Sequence, residues 1–328
     1  MTGIFLKYTR RRSASPNTRL LGVPKRISCL VAMVCLVATV SLATGTESRA
    51  GKIVVEDDFG RTISLDSPAM RIIALYGAYN EVLAAMGLEN RLVGRTKADR
   101  LPPSILSKPS IGTHMRPNVE MVLALKPDLI IQGAGRRQAM MPVTQLRNQG
   151  LRVAVFNPTT FDGLFSTIRR IGVLTGESAR ADRLIGSLQG RLAAVKRRLR
   201  GDPRRPRVFF EVRYPNLLAA GKRSIVNDVI SRAGGVNCVT VDKKLVRMNM
   251  EALVSASPDY YIVQKGPMNR NPVPPRERPH FMILEAVRTG RVANVDEQVF
   301  SRPGPRSVDA VEQLAAVLHP GAARRESK

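Results

Sequence analysis

Tryptophan is missing from the 328 residues, aromatic side chains make up only 5%, and there are three cysteines. Acidic residues are scarce as well: 26 Asp and Glu face 52 Lys and Arg, a formal charge of +26. So few aromatic rings leave little material for base stacking. The basic residues are scattered rather than set in a stripe, so a nucleic-acid partner is not expected. Catalytic signatures are lacking too. No HExxH, CxxC, nucleophile elbow or phosphate loop occurs; Gly133-Ala134-Gly135 lacks the third glycine of a dinucleotide fingerprint and runs into Arg136-Arg137. The adjacent acids Asp57-Asp58 fall in an expected turn, so an exported α/β enzyme ranks below a binding protein.

What is present begins with Ile27 to Ala43, a run of 17 residues without a charge, preceded by seven basic residues and followed by small polar ones. This is a signal-peptide layout, with cleavage after Ala43 or, favoured, after Ala50, where a strand-like segment starts. A retained N-terminal anchor is the alternative, although 17 residues is short for a bilayer span of about 20. Residues 1–50 carry eight basic residues against Glu47 alone, which leaves +19 on the remainder. Cys29 and Cys35 leave with the signal. Cys238 is then the last thiol, so no intramolecular disulfide is expected, and no His or Cys stands near it at ligand spacing.

Short apolar runs recur at Ile72–Leu75, Leu129–Ile131, Val153–Phe156, Val208–Phe210, Tyr260–Val263 and Val292–Val295. Runs of this kind predict strands buried on both faces, and the helical stretches between them, such as Tyr79 to Met86 before Gly87, predict a parallel α/β sheet. Near the start, Ile53–Val55 and Thr62–Leu65 flank a turn at residues 57–60 and predict a β-hairpin. From Ser178 to Arg200, Leu184, Leu188, Leu192, Val195 and Leu199 recur at helical spacing. These 23 residues would span roughly 35 Å, enough to run along two lobes.

An internal repeat supports two lobes. Arg116, Asn118, Glu120, Pro127, Asp128 and Ile131 return as Arg247, Asn249, Glu251, Pro258, Asp259 and Ile262, in two helix-turn-strand segments of one design. Each predicts an Asn-capped helix with a glutamate in its first turn, where the helix dipole favours a carboxylate, ending at a Pro-Asp that starts a buried strand. The expected division is a signal peptide at 1–50, a first lobe at 51–160, a connecting segment with the long helix at 161–203, a second lobe at 204–320 and a basic tail at 321–328.

Several segments then carry a resemblance: Asp58-Phe59-Gly60-Arg61-Thr62, Arg71–Leu75 leading to Asn80–Gly87, Pro117–Glu120 with Leu125–Ile130, Gly221–Ile225, Ala233–Asn237 and Ser301–Arg306. In this order, over nearly everything from Asp58 to Pro320, the chain resembles the periplasmic substrate-binding proteins of ferric-siderophore, haem and cobalamin ABC importers. The resemblance implies an α/β fold of two Rossmann-like lobes with parallel central sheets, joined by one long backbone helix, with a ligand cleft between the lobes. It also implies a periplasmic protein, no catalytic residues and no intrinsic cofactor. Glu120 and Glu251 match the family's two glutamates that dock on arginines of the membrane permease.

Ligands of two-lobed α/β proteins bind at loops following the carboxyl ends of strands. Candidate ligand-binding residues are therefore Tyr76, His114, Arg116, Arg213, Tyr214, Asn216 and Arg302, with Phe300-Ser301-Arg302 closing the floor. His114 stands at the position six before the docking glutamate, which in the family commonly touches ligand. A neutral imidazole there could hydrogen-bond a chelate or serve as an axial metal ligand. Forked guanidinium groups at Arg116, Arg213 and Arg302, with Arg136 and Arg137 nearby, would suit an anionic iron chelate. The first expectation is a ferric siderophore, with haem or cobalamin as the alternative, in a monomeric protein. The long Pro-rich loop from Met268 to Arg276 is either a lid or a plain connection.

Overall fold

The computed structural model describes residues 51–134 and 137–323. The expected signal segment, the Gly135-Arg136 pair and the end of the basic tail lie outside them, and nothing is said of side chains 137–139 and 322–323.

The chain opens as expected with a hairpin, β1 (Ile53–Glu56) against β2 (Thr62–Leu65). Asp57 shapes its turn: one carboxylate oxygen accepts from the Phe59 and Arg61 N–H groups, and the other from Arg147 at 2.9 Å. This buried acid is wholly spent on structure. Next come β3 (Ile72–Ala74), α1 (Gly77–Ala85), β4 (Leu92–Gly94), α2 (Val119–Ala124), β5 (Leu129–Gly133), α3 (Arg137–Asn148) and β6 (Val153–Phe156). The four strands β4-β3-β5-β6 form an all-parallel sheet. Three of its runs, the central Ile72–Ala74 and Leu129–Gly133 and the edge Val153–Phe156, are buried throughout.

Two helices follow, α4 (Phe161–Thr175) and α5 (Ser178–Arg198). Gly176 sits between them with φ +70, the left-handed turn that lets α4 stop and α5 start at once. The buried stripe of α5 is Ala181, Ile185, Leu188, Leu192 and Val195. Leu184 and Leu199, expected on that stripe, are only half-buried, so the inner face is rotated slightly from the leucine spacing. At 1.5 Å per residue the 21 residues run about 32 Å.

The second lobe holds β7 (Arg207–Arg213), β8 (Leu218–Ala220), α6 (Ile225–Arg232), β9 (Leu245–Arg247), α7 (Met250–Ala256), β10 (Tyr260–Lys265), β11 (Val292–Asp296) and α8 (Ser307–Leu318). Its strand order is β9-β8-β7-β10-β11. The core trio β7-β10-β11 is parallel, as the alternation predicted, but β8 runs antiparallel to both β7 and β9. Only residues 214–217 separate β7 from β8, too few for a crossover, so the chain turns back as a hairpin. Strand β11 was expected to be buried on both faces; it is a sheet edge with Asn294 and Asp296 exposed.

The helix pair α4–α5 fuses the lobes. Arg91 binds Glu177 at 2.7 Å, and Arg180 donates to the carbonyls of Met86 and Gly87, which ties the start of α5 to the first lobe. Arg191, further along α5, holds Asp309 and Glu312 of α8 at 2.6 Å. One continuous apolar cluster runs from Ile72 and Phe156 through Phe161 and Leu188 to Phe210 and Leu314.

Candidate functional site

At the carboxyl end of β3, Tyr76 caps α1 with its ring pressed on the backbone of Gly133. A Cβ added there would lie 2.7 Å from the ring, so glycine is what admits the tyrosine. Arg302 reaches in from the second lobe, its guanidinium carbon 5.9 Å from the centroid of that ring. Asp99 converges on the same spot: a Cβ on Gly77 would meet its Oδ1 at 2.8 Å and Nη1 of Arg302 at 3.2 Å. The Thr96 N–H steadies Asp99 at 2.8 Å. The Asn80 amide lies close enough to favour the Asp99 charge but makes no hydrogen bond of ordinary length.

Burial dominates the electrostatics. It pushes the Tyr76 phenol up to about 12, against the pull of Arg302, and raises the carboxyl of Asp99 above its ordinary range. His114 is half-buried, and its imidazole is lowered, first by burial and then by Arg302. It is therefore neutral at pH 7, with a free-base nitrogen to offer. A two-residue ladder, Gly112–Thr113 against Arg116–Pro117, makes the tight hairpin that carries His114 at its tip, and the Gln132 amide fastens the His114 carbonyl at 3.0 Å. Tyr76, Asp99, His114 and Arg302 thus form one polar group at the junction of the lobes.

On the second lobe a chain of hydrogen bonds leads from Ser301, the residue before Arg302, to Tyr214. Ser301 donates to the side-chain oxygen of Gln264, Asn269 donates to the Gln264 carbonyl at 2.9 Å, and the Tyr214 N–H donates to Asn269 at 3.4 Å. Tyr214 lies flat on Arg278, 4.0 Å from ring centroid to guanidinium carbon. Beneath it Arg278 forks onto Glu211 at 2.5 and 3.0 Å, and the Tyr261 hydroxyl completes a fully buried network. Glu297, also buried, accepts from the Met268 N–H at 2.7 Å, and its carboxyl is raised by burial against the pull of Arg302. The Pro-rich loop is pinned at both ends, by Asn269 and by Arg278 bonded to the Val273 carbonyl.

The structure brings Tyr76, His114 and Arg302 together and links Tyr214 to them through the second-lobe floor. Arg116, Arg213 and Asn216 lie exposed, outside that polar group. Arg136 and the Arg137 side chain lie outside the described residues. Asp99 and Glu297 escaped the sequence reading because an acid in a loop signals exposure. Each nevertheless stands by a backbone N–H that its carboxylate accepts.

Glu120 and Glu251 occupy matching places. Each is exposed in the first turn of a short helix capped by asparagine, Asn118 to the Met121 N–H at 3.0 Å and Asn249 to the Ala252 N–H at 2.8 Å. The repeat goes further than its sequence. Arg71 forks onto the Leu125 and Lys126 carbonyls at the end of α2, and Arg207 onto the Ala256 and Ser257 carbonyls at the end of α7. Asp128 and Asp259 accept from the backbone N–H groups of the same two arginines. Lys126 and Ser257 even share a left-handed backbone, φ 46 and 40.

Two α/β lobes fused by a helix pair, a polar group at their junction and matched acidic helix starts define a two-lobed solute-binding protein. Residues 72–299 match the periplasmic binding protein family, and the chain belongs to it. Proteins of this family bind solutes for ABC importers and are not enzymes. The chain is 27% identical over 273 residues to YvrC of Bacillus subtilis, an uncharacterised ABC transporter substrate-binding lipoprotein, covering 82% of this chain and 86% of that one. It is likewise 27% identical over 277 residues to a cobalamin-binding protein of Halobacterium salinarum, covering 81% and 74%. Among solved structures, the periplasmic haem-binding protein RhuT of Roseiflexus superposes with a TM-score of 0.66 at 24% identity, covering 77% of this chain and 99% of that one, which shows the shared fold.

Proposed function

We propose that this protein captures a corrinoid of the cobalamin class between its lobes and delivers it to an ABC permease. The observation that carries the reading is the charge of the junction. Among the described residues, Arg302 is offset by the buried acids Asp99 and Glu297, as Arg278 is by Glu211, and the other groups, Tyr76, Tyr214 and neutral His114, are polar without charge. A cobalamin rim is rich in amides, which both donate and accept, and suits such a surface better than a polyanion does. The cobalamin-binding relative supports the same ligand. His114 is proposed to contact the ligand and to approach its metal.

A ferric siderophore is the second reading, and Arg116 and Arg213 favour it. Both are exposed, Arg116 in the hairpin that carries His114 and Arg213 at the end of β7, and among the described residues neither has an ion-pair partner, so they are free to meet an anionic chelate. An absorption spectrum of the protein purified from its native source separates the readings: corrinoid bands support the first, a broad visible charge-transfer band the second, and a Soret band indicates haem. Absence of a thermal shift with cyanocobalamin, haemin and a ferric hydroxamate alike would overturn both.

Delivery rests on Glu120 and Glu251, proposed to meet arginines of the permease, with export through removal of residues 1–50 and a monomeric receptor. Glu120→Ala combined with Glu251→Ala is expected to abolish uptake while ligand affinity stays unchanged; undiminished uptake by the double variant would remove the docking role.

A further inference from the structure

Beside the carboxyl end of the long helix α5 lies a concavity of about 710 Å³ that involves none of the junction residues. One wall is apolar, built from Phe165, Leu192 and Leu199. Cations line much of the rest, beside Asp162 and Asp202. Arg204 is held by Asp202, and Arg232 by Asp162 and Asp228. Lys196, Arg200 and Arg205 have no ion-pair partner among the described residues, although all three are exposed around the same space. Earlier in the same helix Arg180 and Arg191 both hold carboxylates, and Arg183 has no ion-pair partner among the described residues, whereas at this end three unmatched cations surround one space. Like charges around one hollow repel each other unless an anion joins them.

A second observation points into the same space. His319 is 1% exposed and lines the concavity. Its Nδ1 lies 3.0 Å from the Asp202 carboxylate, which leaves the other ring nitrogen, Nε2, buried with no hydrogen-bond partner. Buried polar atoms are seldom left so. Nε2 lies close to the backbone of Gly234, where an added Cβ would stand 2.7 Å from it. The negative end of α5 does not oppose an anion here, since the N–H groups of Leu199 and Arg200 already close the carbonyls of Val195 and Arg197.

We infer that this concavity is a second binding site, distinct from the junction of the lobes, for a phosphate-bearing molecule whose apolar part lies on the Phe165–Leu192–Leu199 wall. Arg200 and Arg205 supply forked donors for phosphate oxygens, and Lys196 a point charge. The phosphate belongs either to a soluble ester or to the headgroup of an anionic lipid.

Two probes separate these sources: inorganic pyrophosphate by titration calorimetry, and phosphatidylglycerol against phosphatidylcholine vesicles by co-sedimentation. Saturable pyrophosphate binding assigns a soluble phosphate; binding to phosphatidylglycerol vesicles alone assigns a lipid headgroup. In either case the triple variant Lys196→Gln, Arg200→Gln, Arg205→Gln is expected to weaken binding at least ten-fold. The charge-matched control Lys222→Gln, Arg223→Gln, Lys243→Gln and the junction variant Arg302→Gln are expected to keep wild-type affinity. All the substituted triple-variant residues are exposed, so folding is not at issue. The site is overturned if neither probe binds saturably, or if both triples weaken binding equally, which marks bulk charge; loss with Arg302→Gln would assign the anion to the junction instead.

Discussion

Glu297 and Asp99 are acids held away from water, and that has a definite consequence for stability. Burial raises both carboxyls above their ordinary values, so the folded chain binds protons more readily than the unfolded chain. Their contribution is therefore fully present at low pH and is lost as pH rises from the ordinary glutamate value of 4.5 through the raised one. Glu297→Gln keeps an acceptor for the Met268 N–H and removes the charge. Its melting temperature is expected to exceed that of the wild type at pH 7–8, with the gap closing towards pH 4; a gap constant with pH would mean that the carboxylate carries no such penalty. Arg278 presents the opposite case, a buried cation matched by Glu211. Arg278→Ala leaves that carboxylate unpaired and removes the platform under Tyr214, so urea unfolding is expected to show a loss of about 3–5 kcal/mol. These two sites also show the limit of single-residue reading. Tyr76 and His114 were legible because one follows a strand and the other precedes a capped helix, and Arg302 because it lies in a segment that carries the family resemblance. Asp99, Glu211, Glu297 and Arg278 were not, because a charged residue is by default solvated and only tertiary packing takes these four out of water.

Among the elements, the repeated helix-turn-strand unit carried most of what the sequence disclosed. Asparagine caps, first-turn glutamates and Pro-Asp strand starts are local features, each decided within a few residues, and the structure reproduces all of them in α2 and α7. The clasps of Arg71 and Arg207 on the helix ends are long-range; Arg71 lies 54 residues before the carbonyl it holds. Chain separation of that size leaves no pattern in a window of ten or fifteen residues. The antiparallel β8 was hidden for a different reason, since a three-residue strand has no period to read. The clasps fix how α2 and α7 stand on their sheets, and so where Glu120 and Glu251 project. Arg71→Ala and Arg207→Ala remove hydrogen bonds that are largely solvent-exposed, at about 1 kcal/mol each. The double variant is expected to fold and to bind ligand normally while its transport rate falls, measured by uptake into cells carrying the cognate permease. Normal uptake would show that the helix starts need no such bracing.

At the scale of the molecule, two lobes joined by one long helix were expected, and their apolar core is shared, because α4 and α5 pack against both. Polar ties reinforce the fusion. Glu81 of α1 accepts a fork from Arg306, just before α8, at 2.6 and 2.7 Å across 225 residues of chain, and the N–H that opens α4 at Phe161 donates to Asp228 of α6 at 2.7 Å. Gly304 belongs to the same seam: a Cβ there would stand 3.1 Å from that of Ala78, so the backbone of one lobe lies directly on the other. A hinge in which the lobes swing apart would have to expose this core, and burial of apolar surface contributes about 25 cal/mol per Å² against doing so. The lobes are therefore expected to melt together, giving one calorimetric endotherm whose enthalpy equals its van't Hoff enthalpy. Two resolved transitions would contradict the shared core. The Glu81–Arg306 fork, with side chains only 14% and 24% exposed, should register as a real coupling. A double-mutant cycle with Glu81→Ala and Arg306→Ala is expected to give about 1–2 kcal/mol, against less than about 0.5 kcal/mol for the exposed pair Glu285–Arg288. Equal couplings for the two pairs would mean that the seam is held by its apolar contacts alone.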